Sequence, residues 1–402
     1  MTSKGPHPYM RLAPGWDVAP LEDLTTKIGS GATPRGGKNS YVEEGVHLIR
    51  SQNVHDLRFS VDGLACITDD AADKLAGVEV RAGDVLLNIT GASIARCCQA
   101  PQWVLPARVN QHVAIVRPSE RLDARFLMYL LVHPEMRAYV LSHNAGASRE
   151  AITKRHIEGL LVPVPPIEEQ RAIAEVLGAL DDRIEWCGRA AALLHEFTRA
   201  AFQVWVADEG DERSVYEVAA VEYGAPYASA KFNDRREGLP VIRIRDITAD
   251  DAGMYTTERH PRDVVIEPGD IVVGMDGEFR AHAWRGPRGL LNQRVCCFRP
   301  NEGVARTLVL HGLEAPLRFY EGSITGTTVI HLGKRHIDRF TVPFSPAGNE
   351  MMVRVADPML ERAVTLASEQ RQLAAIRDSL LPRLLSGEVR IQDPARMLGA
   401  VA

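Results

Sequence analysis

The sequence predicts an α+β protein: two mixed α/β domains in pseudo-twofold repeat, separated by two long helices that pair as a coiled coil. Two observations support this prediction. Four pairs of similar segments recur in the same order along the 402-residue chain, and a long proline-free stretch with heptad spacing follows the first copy. The length agrees, because a chain of this size exceeds what one hydrophobic core usually organises.

The internal duplication has a period of about 180 to 193 residues. Each copy ends in Lys-Arg-His-Ile followed by Val-Pro, and the order of the similar segments is kept throughout. The chain therefore consists of two copies of one unit. The paired segments are Ile49–Arg50 with Ile242–Arg243, "VRAGDVLLNITG" (80–91) with "IEPGDIVVGMDG" (266–277), Asn110–Gln111 with Asn292–Gln293, and "GASREAITKRHIEGLLVPVPP" (146–166) with "GTTVIHLGKRHIDRFTVPFSP" (326–346).

Within each copy, short β-rich runs follow Gly-Asp turns, which is typical of buried strands. Apolar residues at helical spacing over 125–143 predict a helix that Pro134 interrupts. After the first copy, Glu168 and Glu169 favour the N-terminus of a helix. At 1.5 Å per residue this proline-free helix is on the order of 55 Å long.

Both helical stretches carry heptad seams, which require a partner helix. Regular heptads beside two similar domains favour pairing between the two helices, and packing of each helix on its own domain is the alternative. In the second seam Arg377 takes an apolar position, Pro358 and Pro382 lie near the helix ends or kink it, and Gly387 fits a C-terminus. The expected helix-pairing residues are Ile173, Leu177, Leu180, Ile184, Leu194, Met359, Leu366, Leu373 and Leu380.

These patterns divide the chain into six segments. They are a disordered N-terminal tail (1–15), a first domain (16–165), a first spacer helix (166–206), a second domain (207–347), a second spacer helix (348–390) and a C-terminal tail (391–402).

Composition excludes several classes of protein. A net charge of −5 and a pI near 6.2 weigh against a protein that coats DNA through charge alone. There is neither a long apolar run nor a signal-peptide core at the start, so we expect a cytoplasmic protein. The six cysteines lack zinc-type spacing, which predicts buried free thiols and no metal site.

Local charge favours DNA binding. Between Glu278 and Glu302 there are five arginines and no acid, and between Asp84 and Glu120 there are three arginines and no acid. Arg can contact phosphate or guanine, and Asn or Gln can pair with adenine, although a shared structural turn explains the repeated Asn-Gln equally well. The candidate DNA contacts are Lys38, Arg50, Gln52, Asn53, Arg96, Arg108, Asn110, Gln111, Lys231, Arg243, Arg245, Arg280, Arg285, Arg288, Asn292 and Gln293.

Five segments resemble the specificity subunits of Type I restriction–modification systems. "GSGATPR" (29–35) with "IRSQNV" (49–54), and "KFNDRREGLPVIRIRDI" (231–247), are similar to the opening of that family's target-recognition domains. "RHIEGLLVPVPPIEEQRAIAEVLGALDDRIE" (155–185) and "QRQLAAIRDSLLPRLLSGEV" (370–389) are similar to its domain–helix junction and its C-terminal helix. The second copy departs from the pattern, since it lacks the Gly-Ser-Gly-Ala-Thr-Pro motif and the Glu-Glu-Gln of the first junction.

The resemblance implies two target-recognition domains and an antiparallel pair of helices. Each domain would read one half of a bipartite, asymmetric site in double-stranded DNA, and the helices would set the spacing. Two adenine methyltransferase subunits would bind the chain, and a motor–nuclease subunit can join them. S-adenosylmethionine, ATP and magnesium would be bound by those partners, so this chain would hold no cofactor and no catalytic residue.

Two other classes of function are the alternatives. A structural adaptor would use the duplicated domains and the coiled coil without touching DNA. A stand-alone DNA-modifying enzyme needs a glycine-rich cofactor loop, an Asn-Pro-Pro-type motif or a phosphate-binding loop, and "GSG" (29–31), "DPML" (357–360) and "GATPRGGKN" (31–39) match these only in part. His156 and His336 recur in both copies, and we expect them to pack or cap at the junctions.

Overall fold

The computed structural model describes residues 7–34, 40–143, 151–207, 210–323, 331–391, 394 and 399. The chain divides into two units: unit 1 is Met1–Asp182 with Ala374–Ala402, and unit 2 is Arg183–Leu373. The division falls within both long helices, so each unit contains a part of each helix. Among the described residues, no helix combines the length and the apolar character that crossing a bilayer requires.

Unit 1 is built on two main sheets. The antiparallel four-stranded sheet has the order Cys97–Gln99, Val85–Asn88, Val113–Pro118, Thr25–Ser30. The five-stranded sheet has the order Tyr41–Val42, Ala65–Ile67, Val46–Ile49, Ala107–Val109, Glu79–Val80. Two further strand pairs are Asp17–Pro20 with Leu161–Val164, and Val54–His55 with Arg58–Phe59. Its short helices are Asp69–Asp73, Ala124–Val132, Pro134–Ser142 and Lys154–Glu158.

Unit 2 repeats this plan. Its antiparallel sheet has the order Ala219–Tyr223, Val295–Pro300, Ile271–Gly274, Ala281–Ala283. Its second sheet has the order Tyr255–Thr256, Leu239–Ile242, Gly289–Leu291, Val265–Ile266, and Asp211–Ser214 pairs with Thr341–Phe344. Its short helices are Val215–Val218, Ile244–Ile247, Arg306–Gly312, Glu314–Ser323, Lys334–Ile337 and Pro346–Met351. The predicted α+β duplication is confirmed, and so is the break at Pro134.

The antiparallel four-stranded sheet of each unit is buried on both faces. Alternate residues of Val113–Pro118 enter two different cores, because successive side chains of a strand point to opposite faces. The vicinal cysteines follow the same rule: Cys97 and Cys98 lie in different cores, as do Cys296 and Cys297. Burial raises the pKa of Cys98 and of Cys297 to about 12, so both stay protonated. The six thiols are free as predicted, and five are buried while Cys66 is half-buried.

Both long helices are present. The first is Ile167–Phe202, followed by a π-helical turn at Gln203–Ala207. The second is Asp357–Leu385, preceded by a π-helical turn at Met352–Ala356. Pro382 lies in the last turn of the second helix, and Gly387 closes it with a φ of +74°, a conformation that glycine adopts without strain. The predicted glycine C-terminus is therefore confirmed.

The expected helix-pairing residues are distributed over both units. In unit 1, Ile173 and Leu177 share a core with Leu381, Leu384 and Leu385, and Leu380 packs at its edge. Leu180 is also buried. The start of the first helix thus lies beside the end of the second, and within unit 1 the two run in opposite directions. In unit 2, Leu366 and Leu373 are buried, whereas Ile184, Leu194 and Met359 are half-buried.

The N-terminal segment differs from the disordered tail expected over residues 1–15. His7 and Met10 are buried, and the His7 ring is hydrogen-bonded to the Leu161 carbonyl at 2.8 Å. Tyr9 stacks on Tyr139, with ring centroids 4.7 Å apart. The expectation was wrong for residues 7–15 because these side chains find an apolar surface that the local sequence does not reveal; residues 1–6 lie outside the described part.

Arg377, which takes an apolar position of the seam, is neutralised by Asp181. The Arg377 Nη1–Asp181 Oδ1 distance is 2.7 Å, and the two side chains are only 18% and 17% exposed. The Tyr129 hydroxyl donates to the same carboxylate at 2.5 Å. Burial alone would lower the pKa of Arg377, but the carboxylates of Asp181 and Asp378 hold it above its usual value.

Replacing Asp181 by alanine should destabilise unit 1 by about 3 kcal/mol, the lower end for a broken buried ion pair because Asp378 still contacts Arg377. The matched control is Asp182→Ala. Asp182 pairs with Arg125 at 2.9 Å on the surface, and its loss should cost at most about 1 kcal/mol. Urea unfolding of the two variants measures the difference, and equal costs would contradict a structural role for the buried pair.

Candidate nucleic-acid interface

A parallel strand pair brings polar segments together at one edge of each unit. In unit 1, Val46–Ile49 and Ala107–Val109 are parallel, so the residues that follow both strands lie at the same edge. The Asn110 N–H donates to the Ile49 carbonyl at 3.0 Å, and the Ile89 N–H donates to the His112 carbonyl at 3.0 Å. These bonds hold the turn 110–112 next to the loop that follows Val85–Asn88.

An open cleft of about 400 Å³ lies at this edge of unit 1. Its lining consists of polar and small side chains, which suits hydrogen-bonding base edges or phosphate better than an apolar ligand. The lining residues are Ser51, Gln52, Thr90, Gly91, Ala92, Ser93, Arg96 and His112.

A chain of hydrogen bonds orders the polar side chains beside this cleft. The Thr33 hydroxyl donates to Gln111 Oε1. Gln111 Nε2 lies 3.0 Å from His112 Nε2, and His112 Nδ1 lies 2.6 Å from Thr90 Oγ1. Because an amide nitrogen only donates, His112 Nε2 accepts and Nδ1 donates to Thr90. His112 is thereby used to orient the exposed amide of Gln111.

The same edge of unit 2 carries different side chains on the same backbone. Leu239–Ile242 and Gly289–Leu291 are parallel, and the Asn292 N–H donates to the Ile242 carbonyl at 3.0 Å. Here Asp276 accepts from His331 at 2.6 Å and pairs with Arg294 at 3.5 Å. Asp276 forms a β-bridge with His331, as Thr90 does with Ala151 in unit 1.

Within the repeated Asn-Gln pairs, the Asn residues shape the turn. Asn110 Oδ1 accepts from the His112 N–H at 3.0 Å, and Asn292 Oδ1 accepts from the Arg294 N–H at 3.4 Å. Asn110 is 6% exposed and Asn292 is half-buried. The shared-turn explanation accounts for both Asn residues, whereas Gln111 and Gln293 are exposed to solvent.

The other candidates of unit 1 occupy unlike environments. Asn53 is fully buried and bonds to the Ser60 and Asp62 carbonyls at 3.0 and 3.2 Å. Arg108 is buried and donates to the Ala72 carbonyl at 3.1 Å. Arg50 is half-buried, with its guanidinium 5.3 Å from the centroid of the Tyr41 ring. Gln52 and Arg96 line the cleft, and Lys38 lies outside the described residues.

The arginine-rich segment of unit 2 is free of acids along the chain but not in space. Arg285 Nε lies 2.7 Å from Asp250 Oδ2, and although burial raises the pKa of Asp250, bonds from His282 and Arg285 hold it below its usual value. Arg245 is exposed. The remaining basic candidates all have acidic partners: Lys231 with Glu258, Arg243 with Asp246, Arg280 with Glu321, and Arg288 with Glu267.

Several repeated residues stabilise the scaffold. Arg117 pairs with Asp84 at 2.7 Å, and its counterpart Arg299 pairs with Asp270 at 3.0 Å. His156 Nδ1 accepts from the Thr153 N–H at 3.4 Å, and His336 Nδ1 accepts from the Gly333 N–H at 3.2 Å. The capping role expected for both histidines is confirmed.

Sequence reasoning missed four residues of the interface, namely Thr90, His112, Asp276 and His331. A signal for three of them existed: Thr90 and Asp276 precede the repeated Gly91 and Gly277, and His112 follows an Asn-Gln pair. Within the described ranges, there is no cluster of three or more His, Cys, Asp or Glu side chains that could hold a metal ion.

Comparisons with known proteins agree with this architecture. A family model described as the Type I restriction modification DNA specificity domain matches residues 14–193. The Type I restriction enzyme EcoBI specificity subunit of Escherichia coli is 29% identical over 186 residues, which span 45% of this chain and 39% of that protein, less than half of its length. The putative MjaX specificity subunit of Methanocaldococcus jannaschii is 19% identical over 94% of both chains.

A solved structure has a similar fold. The crystal structure of a Type I restriction–modification system S subunit from M. genitalium superposes with a TM-score of 0.61 at 16% identity. The superposition covers 94% of this chain and 98% of that one, so the likeness extends to both units.

Substitutions at two neighbouring residues should separate folding from recognition. Asn110→Ala removes the buried acceptor of the His112 N–H and should lower the stability of unit 1 by about 1–2 kcal/mol. Gln111→Ala changes an exposed side chain and should alter stability by less than about 0.5 kcal/mol while weakening DNA binding. Thermal unfolding measures the stability of both variants, and a titration with DNA measures their binding. A Gln111 variant that binds DNA normally would remove this residue from the interface.

Proposed function

We propose that this chain, which belongs to the Type I restriction–modification specificity subunit family, reads a bipartite, asymmetric site in double-stranded DNA. Each unit reads one half-site through the edge that follows its parallel strand pair. The long helices set the spacing between the half-sites. The observation that carries the proposal is that both units present the same backbone turn with different polar side chains.

The turn has the same backbone bonds in both units. Asn110 and Asn292 each donate to the carbonyl at the end of the neighbouring parallel strand at 3.0 Å. The side chains at equivalent positions differ: His112 of unit 1 corresponds to Arg294 of unit 2, and Thr90 corresponds to Asp276. Direct readout depends on the pattern of donors and acceptors that a protein offers in a groove. Two unlike patterns on one scaffold suit two different half-sites.

The chain itself acts as a non-catalytic reader in this proposal. Adenine methyltransferase subunits transfer the methyl group, and a motor–nuclease subunit cleaves where one is present. S-adenosylmethionine, ATP and magnesium belong to those partners, and the assembly works in the cytoplasm. The resemblance of the junction and C-terminal helix segments to the family supports this division of labour.

An exposed apolar stripe on the first long helix supports methyltransferase docking there. Trp186, Leu193 and Phe197 are 48%, 65% and 44% exposed, and Val204 in the following π-helical turn is 69% exposed. Ala190 and Ala200 lie between these four residues in the sequence, and together the six residues follow heptad spacing. The neighbouring positions Cys187, Ala191 and Thr198 are buried, so the stripe is a second seam beside the first. Heptad spacing suits a partner helix, and we assign that helix to a methyltransferase subunit.

Co-expression with adenine methyltransferase subunits in a methylation-deficient host tests the proposed function. Mapping of modified adenines by single-molecule sequencing should give two short half-sites separated by a fixed unspecified gap. A complex that forms without a split motif would favour the structural adaptor. Methyl transfer by the purified chain without partners would contradict the non-catalytic role.

Charge on the stripe should prevent docking. The double variant Leu193→Asp/Phe197→Asp should weaken methyltransferase binding by at least about 10-fold, because buried apolar anchors dominate interface energies. Ala192→Asp places one carboxylate at an exposed position of the same helix outside the stripe and should bind normally. Co-purification and calorimetry measure the affinity. If both variants bind the methyltransferase equally, the docking surface lies elsewhere. If the double variant loses self-association but binds the methyltransferase normally, the stripe contacts a second copy of this chain.

A further inference from the structure

Arg294 is held in place by a carboxylate while part of its guanidinium remains available. Its side chain is 53% exposed, and Nη1 lies 3.5 Å from Asp276 Oδ2. Asp276 Oδ1 in turn lies 2.6 Å from His331 Nδ1, which fixes the carboxylate. In the part of the chain that the structure describes, Nε and Nη2 of Arg294 have no hydrogen-bond partner.

Nε and Nη2 form a fork of two parallel donors in the plane of the guanidinium. That fork matches the two acceptors, N7 and O6, that guanine presents in the major groove. A guanidinium held through Nη1 also loses less side-chain entropy on binding than a free one. The arrangement therefore favours bidentate recognition over a loose ionic contact.

The equivalent residue of unit 1, His112, has both ring nitrogens engaged by Gln111 and Thr90. The group presented to solvent there is the Gln111 amide. After its bonds to Thr33 and His112, it keeps one N–H donor and one acceptor lone pair. A donor beside an acceptor matches N7 and the N6 amino group of adenine, and it does not match guanine.

Charge also distinguishes base contact from phosphate contact. Asp276 offsets the charge of Arg294, which weakens its attraction to phosphate, and Gln111 is neutral. Contacts of this kind carry sequence information and contribute little to nonspecific affinity.

We propose that the equivalent turns read different base pairs: Arg294 reads a guanine in the half-site of unit 2, and Gln111 reads an adenine in the half-site of unit 1. Asp276 and His112 position the two readers. This inference rests on the proposed function, since it requires that each unit read one half-site.

The test uses the chain assembled with its methyltransferase subunits and maps methylated adenines. Arg294→Ala should relax one position of one half-site from guanine to any base, with discrimination falling by about 5- to 150-fold. The other half-site should not change. Gln111→Ala should relax an adenine position in the other half-site only, and Arg294→Gln should shift the preference at the Arg294 position from guanine towards adenine.

Arg288→Ala is the matched control. Arg288 is also exposed and paired with an acid, Glu267 at 3.0 Å, but it lies before the strand Gly289–Leu291, at the opposite end from Arg294. Its loss should leave the motif unchanged, because Arg288 lies away from the turn 292–294 and its guanidinium is paired with Glu267.

Three outcomes would overturn the inference. One is an unchanged motif in all Arg294 and Gln111 variants. Another is relaxation of both half-sites by a single substitution. The third concerns an Arg294 variant that methylates too little DNA for mapping. Fluorescence anisotropy then measures its affinity for duplexes with and without the guanine. An equal loss of affinity for both duplexes would mean that Arg294 contacts phosphate. Absence of a split motif with the unsubstituted complex would instead contradict the proposed function itself.

Discussion

One parallel strand pair in each unit determines where the polar side chains meet. In an antiparallel pair the segments that follow the two strands leave at opposite edges, so turn 110–112 and loop 50–53 would lie apart. Because Val46–Ile49 and Ala107–Val109 are parallel, both segments leave at one edge, where the loop after Val85–Asn88 joins them. Unit 2 has the same pair and therefore the same edge. The interface, the bonds of its turn and the positions of Gln111 and Arg294 all depend on this pairing.

Because the strands are buried, side chains can be exchanged with little cost in stability only at that edge. The four-stranded sheets are covered on both faces, so a change in volume at a strand residue such as Ile115 or Phe298 disturbs a close-packed core. The turn side chains meet solvent on one side and can change with little cost in stability. A chain of this construction can change the side chains at this edge while both units keep their strand order.

The sequence predicted the features that depend on local periodicity and on the repeat. These include the duplication, the long helices, the break at Pro134 and the glycine C-terminus at Gly387. It did not reveal contacts between residues distant along the chain. The ion pairs of Arg285 with Asp250 and Arg280 with Glu321 turn an acid-free segment into a set of neutralised arginines. The burial of Arg108 and the packing of His7 and Met10 likewise depend on tertiary neighbours.

The internal repeat gives a criterion for separating scaffold from readers. If the two units read different half-sites, a residue that is identical in both copies and bonded within the scaffold of its own unit serves what they share, which is the fold. Asn110 with Asn292, Asp84 with Asp270, Arg117 with Arg299 and His156 with His336 all make structural contacts. The residues that differ lie at this edge: His112 and Arg294 belong to the turn, and Thr90 and Asp276 belong to the loop beside it. Gln111 and Gln293 are identical, but their neighbours differ. His112 accepts a hydrogen bond from Gln111 and orients it, whereas Gln293 is followed by Arg294, whose side chain can only donate. Divergence between the copies therefore indicates the specificity residues better than recurrence does.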